Sequence, residues 1–334
     1  MTTGTIMRQV AEPPGGLFRR LRERVGRTGW VATSVFGVTA LLTVIAILIN
    51  TNSSATNIVW SLFTLSTVTA VAAFGQSIVI LIGGLDLSIP WTMTMSGVFL
   101  TAWSGRSVGS GLLALIAVLL LGALAGLVNG LGIVALRVPP VVMTLALNGV
   151  LEGAVLIYTN GAPTGNAPHF LISLMNGRSS YGVPDGVWVL VAAALAGIFL
   201  MKGTTFGRRV YAVGASPRAA ALAGLRVNAT IVMVYVISGL SSALAGALLA
   251  GFSQQSYLGM GDQYLLPSIA AVVIGGASVL GGRGSYLGTI AGVLLLTSIG
   301  LVLSGSSSDA TKTVIFGASV LVTALLFNRS RRVQ

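Results

Sequence analysis

The chain has 334 residues, of which 54% are apolar and only 8% charged, with a mean hydropathy of +0.92. A soluble domain carries roughly 25% charged residues, so the composition excludes an ordinary soluble enzyme. The net charge of +12, which in a soluble chain points to nucleic acid, is here confined to short segments between apolar runs and implies a lipid bilayer as partner and no nucleic acid.

The segment 1–29 is rich in arginine and reads as a cytoplasmic tail. The stretch 28–85 has no charged side chain; a membrane helix needs about 20 apolar residues, so two spans fit there, at 30–49 and 58–82. The first lacks a clear small-residue cleavage site and reads as a retained span, not a signal peptide. Gln76 is a neutral polar residue within the second. The segment Gly83-Gly84-Leu85-Asp86-Leu87-Ser88 follows. Asp86 is read as a helix cap at the inner end of the bundle, with Ser88 as the alternative cap.

Further spans are predicted at 89–103, 112–136 and 141–158, the first of these short. Gly122, Gly126 and Gly130 lie four residues apart, a spacing that lets helices approach closely. The fifth span carries Thr144, Asn148 and Glu152, each four residues from the next and therefore on one helix face. Asn129 in the fourth span is polar as well. Such groups either hydrogen-bond a hydroxylated solute or bond a neighbouring helix, and an ionisable group at that depth usually faces a cavity or a partner.

An outer loop at 159–186, rich in Gly, Pro, Asn and Ser, holds the single histidine, His169, and Asp185, both read as solvated. With one histidine and no cysteine, neither a disulfide nor a His- or Cys-rich metal site is expected. A sixth span is predicted at 187–201, short like the third. The inner loop 202–228 is different in kind. It carries Lys202, Arg208, Arg209, Arg218 and Arg226 around an Ala-rich stretch with Ala219, Ala220 and Leu222. Ser216 suits an N-cap, Pro217 the first helical position and Gly224 the C-terminal stop. A surface helix of about two turns is predicted, and one so short is marginal unless something packs on it.

The last spans are placed at 231–252, 266–280, 287–303 and 314–327, the eighth again short, followed by a basic tail at 329–334. The transmembrane body is thus 30–328. The segment ending in Gly275-Gly276 echoes the one ending in Gly83-Gly84, as internal repeats in transporters do. The glycine-rich run 275–285 has no Gly-Lys-Ser/Thr and is no nucleotide loop; ATP hydrolysis is not expected of this chain. No catalytic triad or carboxylate pair is visible, and no cofactor is implied. With ten alternating spans and both termini inside, sixteen Lys/Arg fall on the cytoplasmic side and three, Arg106, Arg178 and Lys312, outside, a strong positive-inside bias. The fold class expected is an all-α polytopic membrane protein.

Four blocks together resemble the ribose-type sugar permease family of bacterial ATP-driven importers: 83–88; Tyr158-Thr159-Asn160-Gly161-Ala162-Pro163; Thr205-Phe206-Gly207-Arg208-Arg209-Val210-Tyr211-Ala212-Val213-Gly214 leading into 217–224; and Ile269 through Gly276 to Ser285. They occur in the family's order and spacing. The resemblance implies a multi-pass permease of the bacterial inner membrane, working as a pair with a second copy or a paralogue. It implies a cytosolic ATPase docked on the 204–224 segment, an extracytoplasmic binding protein, and a monosaccharide as cargo; Gln76, Thr144 and Asn148, with Glu152 toward the outer end, are expected to line the translocation path of such an importer. The sequence departs from the family at Glu152, often arginine in relatives, at Ile89-Pro90, and before Ile269. Permeases for other solutes, branched amino acids among them, share the architecture. A stand-alone transporter using Glu152 as a proton site is the reading from another class; the scarcity of intramembrane carboxylates argues against it.

Overall fold

Long apolar runs interrupted by glycine, proline and serine give helices separated by tight connections. The computed structural model describes residues 17–49, 54–105, 107–179 and 182–304, with Val314, Gly317 and Ala318. Among these the regular structure is helical: α1 Leu17–Ile49, α2 Ala55–Leu81, α3 Ile89–Trp103, α4 Val108–Ala135, α5 Pro140–Thr159, α6 His169–Asn176, α7 Asp185–Gly203, α8 Thr205–Ala215, α9 Pro217–Leu222, α10 Val227–Ser253, α11 Leu265–Ile274 and α12 Tyr286–Ser304. Six of them, α2, α4, α5, α7, α10 and α12, are long and apolar enough to cross a membrane. The protein is a multi-span membrane protein.

Nine of the ten predicted spans coincide with a helix; of the tenth, 314–327, only Val314, Gly317 and Ala318 are described, and the tail 329–334 lies outside the described residues. α1 runs unbroken from Leu17, so the predicted tail and first span share one helix. The sixth span is not short: α7 has 19 residues, started by Pro184 at its N-cap, because its first turn is polar and escapes a hydropathy window. The eighth is shorter than predicted. α11 ends at Ile274, where Gly276 takes φ +87° and the Gly276 and Ala277 amides donate back to the carbonyls of Val273 and Val272. Ala-Ser-Val-Leu beyond it is apolar, which hides the stop from hydropathy.

The same cap closes α2. Gly83 takes φ +81°, and the Gly83 and Gly84 amides donate to Ile80 and Val79 at 2.9 and 3.0 Å. The sequence echo is therefore a shared way of ending a helix. A different recurrence is visible in element order. A 27-residue helix, an aspartate three residues ahead of a short helix, and a long helix occur as α2–α3–α4 with Asp86 and as α10–α11–α12 with Asp262.

α10 is the centre of the bundle, with α2, α3, α4 and α6 packed around it. Its contact with α4 is made through backbone. A Cβ at Gly126 would run into the Tyr235 carbonyl, one at Gly130 would lie 2.8 Å from the Val232 Cα, and one at Gly239 would strike the Gly122 carbonyl. The predicted small-residue spacing marks this crossing.

Loops assigned to the same side meet. At one end the Gly282 amide donates to the Leu81 carbonyl at 2.8 Å, and the Tyr211 hydroxyl to the Gly284 carbonyl at 2.9 Å. At the other, Thr101 Oγ1 and Ser256 Oγ lie 2.7 Å apart, Ser104 Oγ donates to the Asn166 carbonyl at 2.8 Å, and the Ala167 amide to that of Gln254 at 2.9 Å. The long 159–186 loop holds a helix that its Gly/Pro content concealed. α6 buries Leu171 and Met175, four residues apart, and Asn176 Nδ2 donates to the Gly251 carbonyl at 3.0 Å, pinning it on α10. His169 opens α6 and is exposed.

Candidate functional site

The sequence marks two regions, the 83–88 segment and the 202–228 loop. The structure connects them.

After Gly83 turns the chain away from α2, the 84–88 segment enters the bundle. Asp86 is 1% exposed. Its Oδ1 accepts from the Ser88 amide at 3.0 Å and the Ser88 hydroxyl at 2.6 Å, and its Oδ2 accepts from Ser238 Oγ on α10 at 2.7 Å. Asn129 Nδ2 on α4 donates to Ser88 Oγ at 2.9 Å. Thr144 Oγ1 on α5 accepts from the Leu87 amide at 3.0 Å and contacts the Leu85 carbonyl at 3.3 Å. The Gly84 backbone lies directly against the Tyr235 hydroxyl. One six-residue segment thus fastens α3, α4, α5 and α10. Ser88 is the N-cap of α3, though its hydroxyl makes no cap bond there; Asp86 instead closes a tight turn on the Ser88 amide.

Sequence reading places Asp86 and Ser88 here but misses Ser238 and Tyr235. A signal existed for the first: Ser238, Ser241 and Ser242 cluster within an apolar helix, and all three are buried.

The four residues predicted to line a solute path are not gathered together. Thr144 is fully buried and engaged with the 85–87 backbone. Asn148, half-buried, accepts from the Trp91 amide at 3.4 Å, so this stripe meets α3. Gln76 on α2 is fully enclosed, and neither end of its amide has a hydrogen-bond partner among the described residues. Glu152 is half-buried, near Asp262. Burial first, and then the charge of Glu152, hold the exposed Asp262 carboxyl above its ordinary range.

The 202–228 loop contains two helices, one more than predicted. α8 is amphipathic: Gly207, Val210 and Val213 are buried, while Arg208 and Arg209 are exposed. Thr204 caps it, accepting from the Gly207 amide at 3.2 Å. α9 follows at once. Ser216 is its N-cap, accepting from the Ala219 amide at 3.2 Å, and Pro217 stands in its first turn. Gly224, at φ +79°, ends it. Ala220 is 4% exposed and packs on the chain itself, whereas Leu222 is 91% exposed. Pro217, Arg218, Ala219 and Leu222 form the outward face. A substitution at Ala220 therefore tests the chain's own packing; the residue that tests a partner is Leu222. Beside α9 lies a shallow depression lined by Ala221, Leu225, Arg226, Val227, Asn228 and Ala229.

Gly275 and Gly276 lie at the α11–α12 contact, where a Cβ on Gly275 would strike the Gly288 backbone. No group of three or more metal-ligating side chains occurs among the described residues.

Residues 58–324 match the family described as branched-chain amino acid transport system / permease component. The chain is 34% identical over 302 residues to the ribose import permease protein of Escherichia coli strain K12, covering 88% of this chain and 92% of that one. It is 32% identical over 275 residues to the fructose import permease protein of Rhizobium meliloti, covering 80% and 76%. It is 39% identical over 186 residues to the autoinducer 2 import system permease protein of Klebsiella pneumoniae, covering 55% and 53%. No solved structure is significantly similar to the chain.

Proposed function

We propose a function from one premise: the chain belongs to the branched-chain amino acid transport system / permease component family, and it is the membrane-embedded permease of an ABC-type importer, with ATP hydrolysis in a separate subunit. Its cargo is a sugar or sugar-like solute. The similarity to a ribose permease over nearly the whole of both chains carries this reading. Reconstitution with the co-purified ATPase and binding protein tests it. ATP-dependent uptake of a monosaccharide is the expected result; uptake of a branched amino acid with no sugar transport overturns it.

The partners follow from the architecture. A cytosolic ATPase docks on α9, and a binding protein delivers solute on the outer side. A second permease copy or paralogue completes the path in the bacterial inner membrane. The carrying observation for docking is that α9 is capped at both ends and held by Ala220, yet presents Leu222 to solvent. An apolar side chain 91% exposed on the cytoplasmic side is what a docking face needs. Leu222→Asp should lower recovery of the ATPase by at least about tenfold, a typical loss for a central contact, with membrane insertion unchanged. Full recovery of the ATPase with this variant rejects the docking face.

The solute path runs along the flank of α5 that carries Glu152 and Asn148, with Gln76 deeper in the bundle. Thr144 contributes by holding the 85–87 backbone rather than by touching solute. Ten spans with both termini inside remain the topology proposed. It is supported by the sixteen-to-three division of basic residues and by the meeting of loops at two ends. The chain has no cysteine, so single cysteines report cleanly. A cysteine at Ser173, exposed on α6, should react with an impermeant reagent on intact cells; one at Ala219, exposed on α9, should react only after the membrane is opened. Labelling of the Ala219 position from outside reverses the topology.

A further inference from the structure

Three segments far apart in sequence meet at the inner end of the bundle, and their closest approaches are main chain against main chain. Gly214, two residues before the N-cap of α9, lies so close to Leu81, the last residue of α2, that a methyl group there would overlap the Leu81 carbonyl. The same methyl would lie 2.8 Å from the Gly282 nitrogen. Gly282 donates its amide to that Leu81 carbonyl at 2.8 Å and adopts φ +72°. A Cβ on Gly282 would sit 2.8 Å from the Ala215 Cα. Gly281, at φ +88°, would bring a Cβ within 3.0 Å of both the Gly83 nitrogen and the Leu81 oxygen. Tyr211 of α8 closes the junction from the side through its hydroxyl bond to Gly284.

Each chain segment here leads somewhere. From Gly214 the chain passes through Ser216 into α9. From Leu81 it passes through Gly83 and Gly84 to Asp86, whose carboxyl holds Ser88 and Ser238. Between the proposed docking helix and the node that fastens α3, α4, α5 and α10 there is therefore no flexible side chain to absorb a displacement. Backbone atoms in van der Waals contact, with a hydrogen bond across them, transmit a push as a rigid body does, since packed interiors deform little.

We propose that Gly214, Gly281 and Gly282 are positioning residues for transport. They join the α8–α9 segment, the 278–284 loop and the end of α2 into one rigid coupler that carries movement of α9 to the Asp86 node. This rests on the reading of α9 as the ATPase contact. Coupling through a contiguous network requires evidence beyond adjacency, and the glycines supply a direct way to obtain it.

Gly214→Ala inserts a wedge between α8 and α2 without touching the exposed face of α9. In the full reconstituted complex, ATPase recovery and basal ATP hydrolysis should match the native complex. Uptake, and stimulation of hydrolysis by the loaded binding protein, should both fall by about tenfold, the scale of an ordinary coupling energy. Gly182→Ala, at a left-handed position in the 159–186 loop with open space around it, controls for the substitution itself and should retain that stimulation. Loss of ATPase recovery in Leu222→Asp with normal coupling in Gly214→Ala would overturn the coupler and leave the docking reading intact. Unchanged recovery in Leu222→Asp would remove the docking reading itself. Should Gly214→Ala not assemble, spin labels on Ala221→Cys, on α9 but off the face that carries Leu222, and on Leu280→Cys, both exposed, decide the matter. A rigid coupler keeps their separation constant between nucleotide-free and ATP-trapped complexes; a resolvable change in distance refutes it.

Discussion

Replacing Asp86 by alanine should destabilise the folded permease by about 3 kcal/mol, because three hydrogen bonds to one buried carboxyl are lost together. Ser88 Oγ and Ser238 Oγ would be left without their acceptor, and Asn129 would donate to a hydroxyl no longer oriented by Asp86. This is more than the roughly 1 kcal/mol of a lost helix cap, which is all that the sequence predicts. Asp86→Asn keeps one oxygen as acceptor and should lose about half as much. Thermal unfolding of the purified protein in detergent reads the difference. If Asp86→Ala melts with the native protein while uptake alone declines, the carboxyl serves transport instead of the fold.

The second large effect is expected at the α4–α10 crossing. Gly126→Leu places a branched side chain where the Tyr235 carbonyl and the Val236 Cα already stand. Neither neighbour is the free end of a flexible side chain, so the two helices must separate. Overpacking of this kind costs about 3 kcal/mol or more, and separation also draws Tyr235 away from Gly84. The folded yield of Gly126→Leu should fall to a small fraction of native. Gly149→Leu on α5, where a Cβ meets nothing within 4 Å, should fold normally. Equal yields for the two variants would mean that the crossing is looser than its backbone contacts indicate.

Hydropathy and charge made the membrane class and most helices legible, because a bilayer demands long apolar runs and sorts arginine by side. Helix ends were legible where chemistry is local. Ser216, Pro217 and Gly224 bound α9 as predicted, since caps act within four residues. What stayed hidden depends on partners distant in sequence. Helical spacing sets Thr144 on one face of α5 with Asn148 and Glu152, but only the fold reveals that the 85–87 backbone occupies Thr144. Ala220 and Leu222 are both apolar on a two-turn helix, and sequence cannot say which faces inward. α6 was hidden because proline and glycine on both sides read as loop. Its Leu171–Met175 pair is too short a period to stand out.

The bond between Asp86 and Ser238 spans 152 positions in the chain. A ribosome adds about 5–20 residues per second, so roughly ten to thirty seconds separate the synthesis of the two partners. During that interval α2 to α5 are already made, and α10, the helix against which α2, α3 and α4 all pack, does not yet exist. The nascent permease therefore passes through a stage in which Asp86 is held by Ser88 but not yet by Ser238. A chain ending before α10 would leave the bundle unclosed and Asp86 Oδ2 without Ser238, and completion of that one helix supplies the partner.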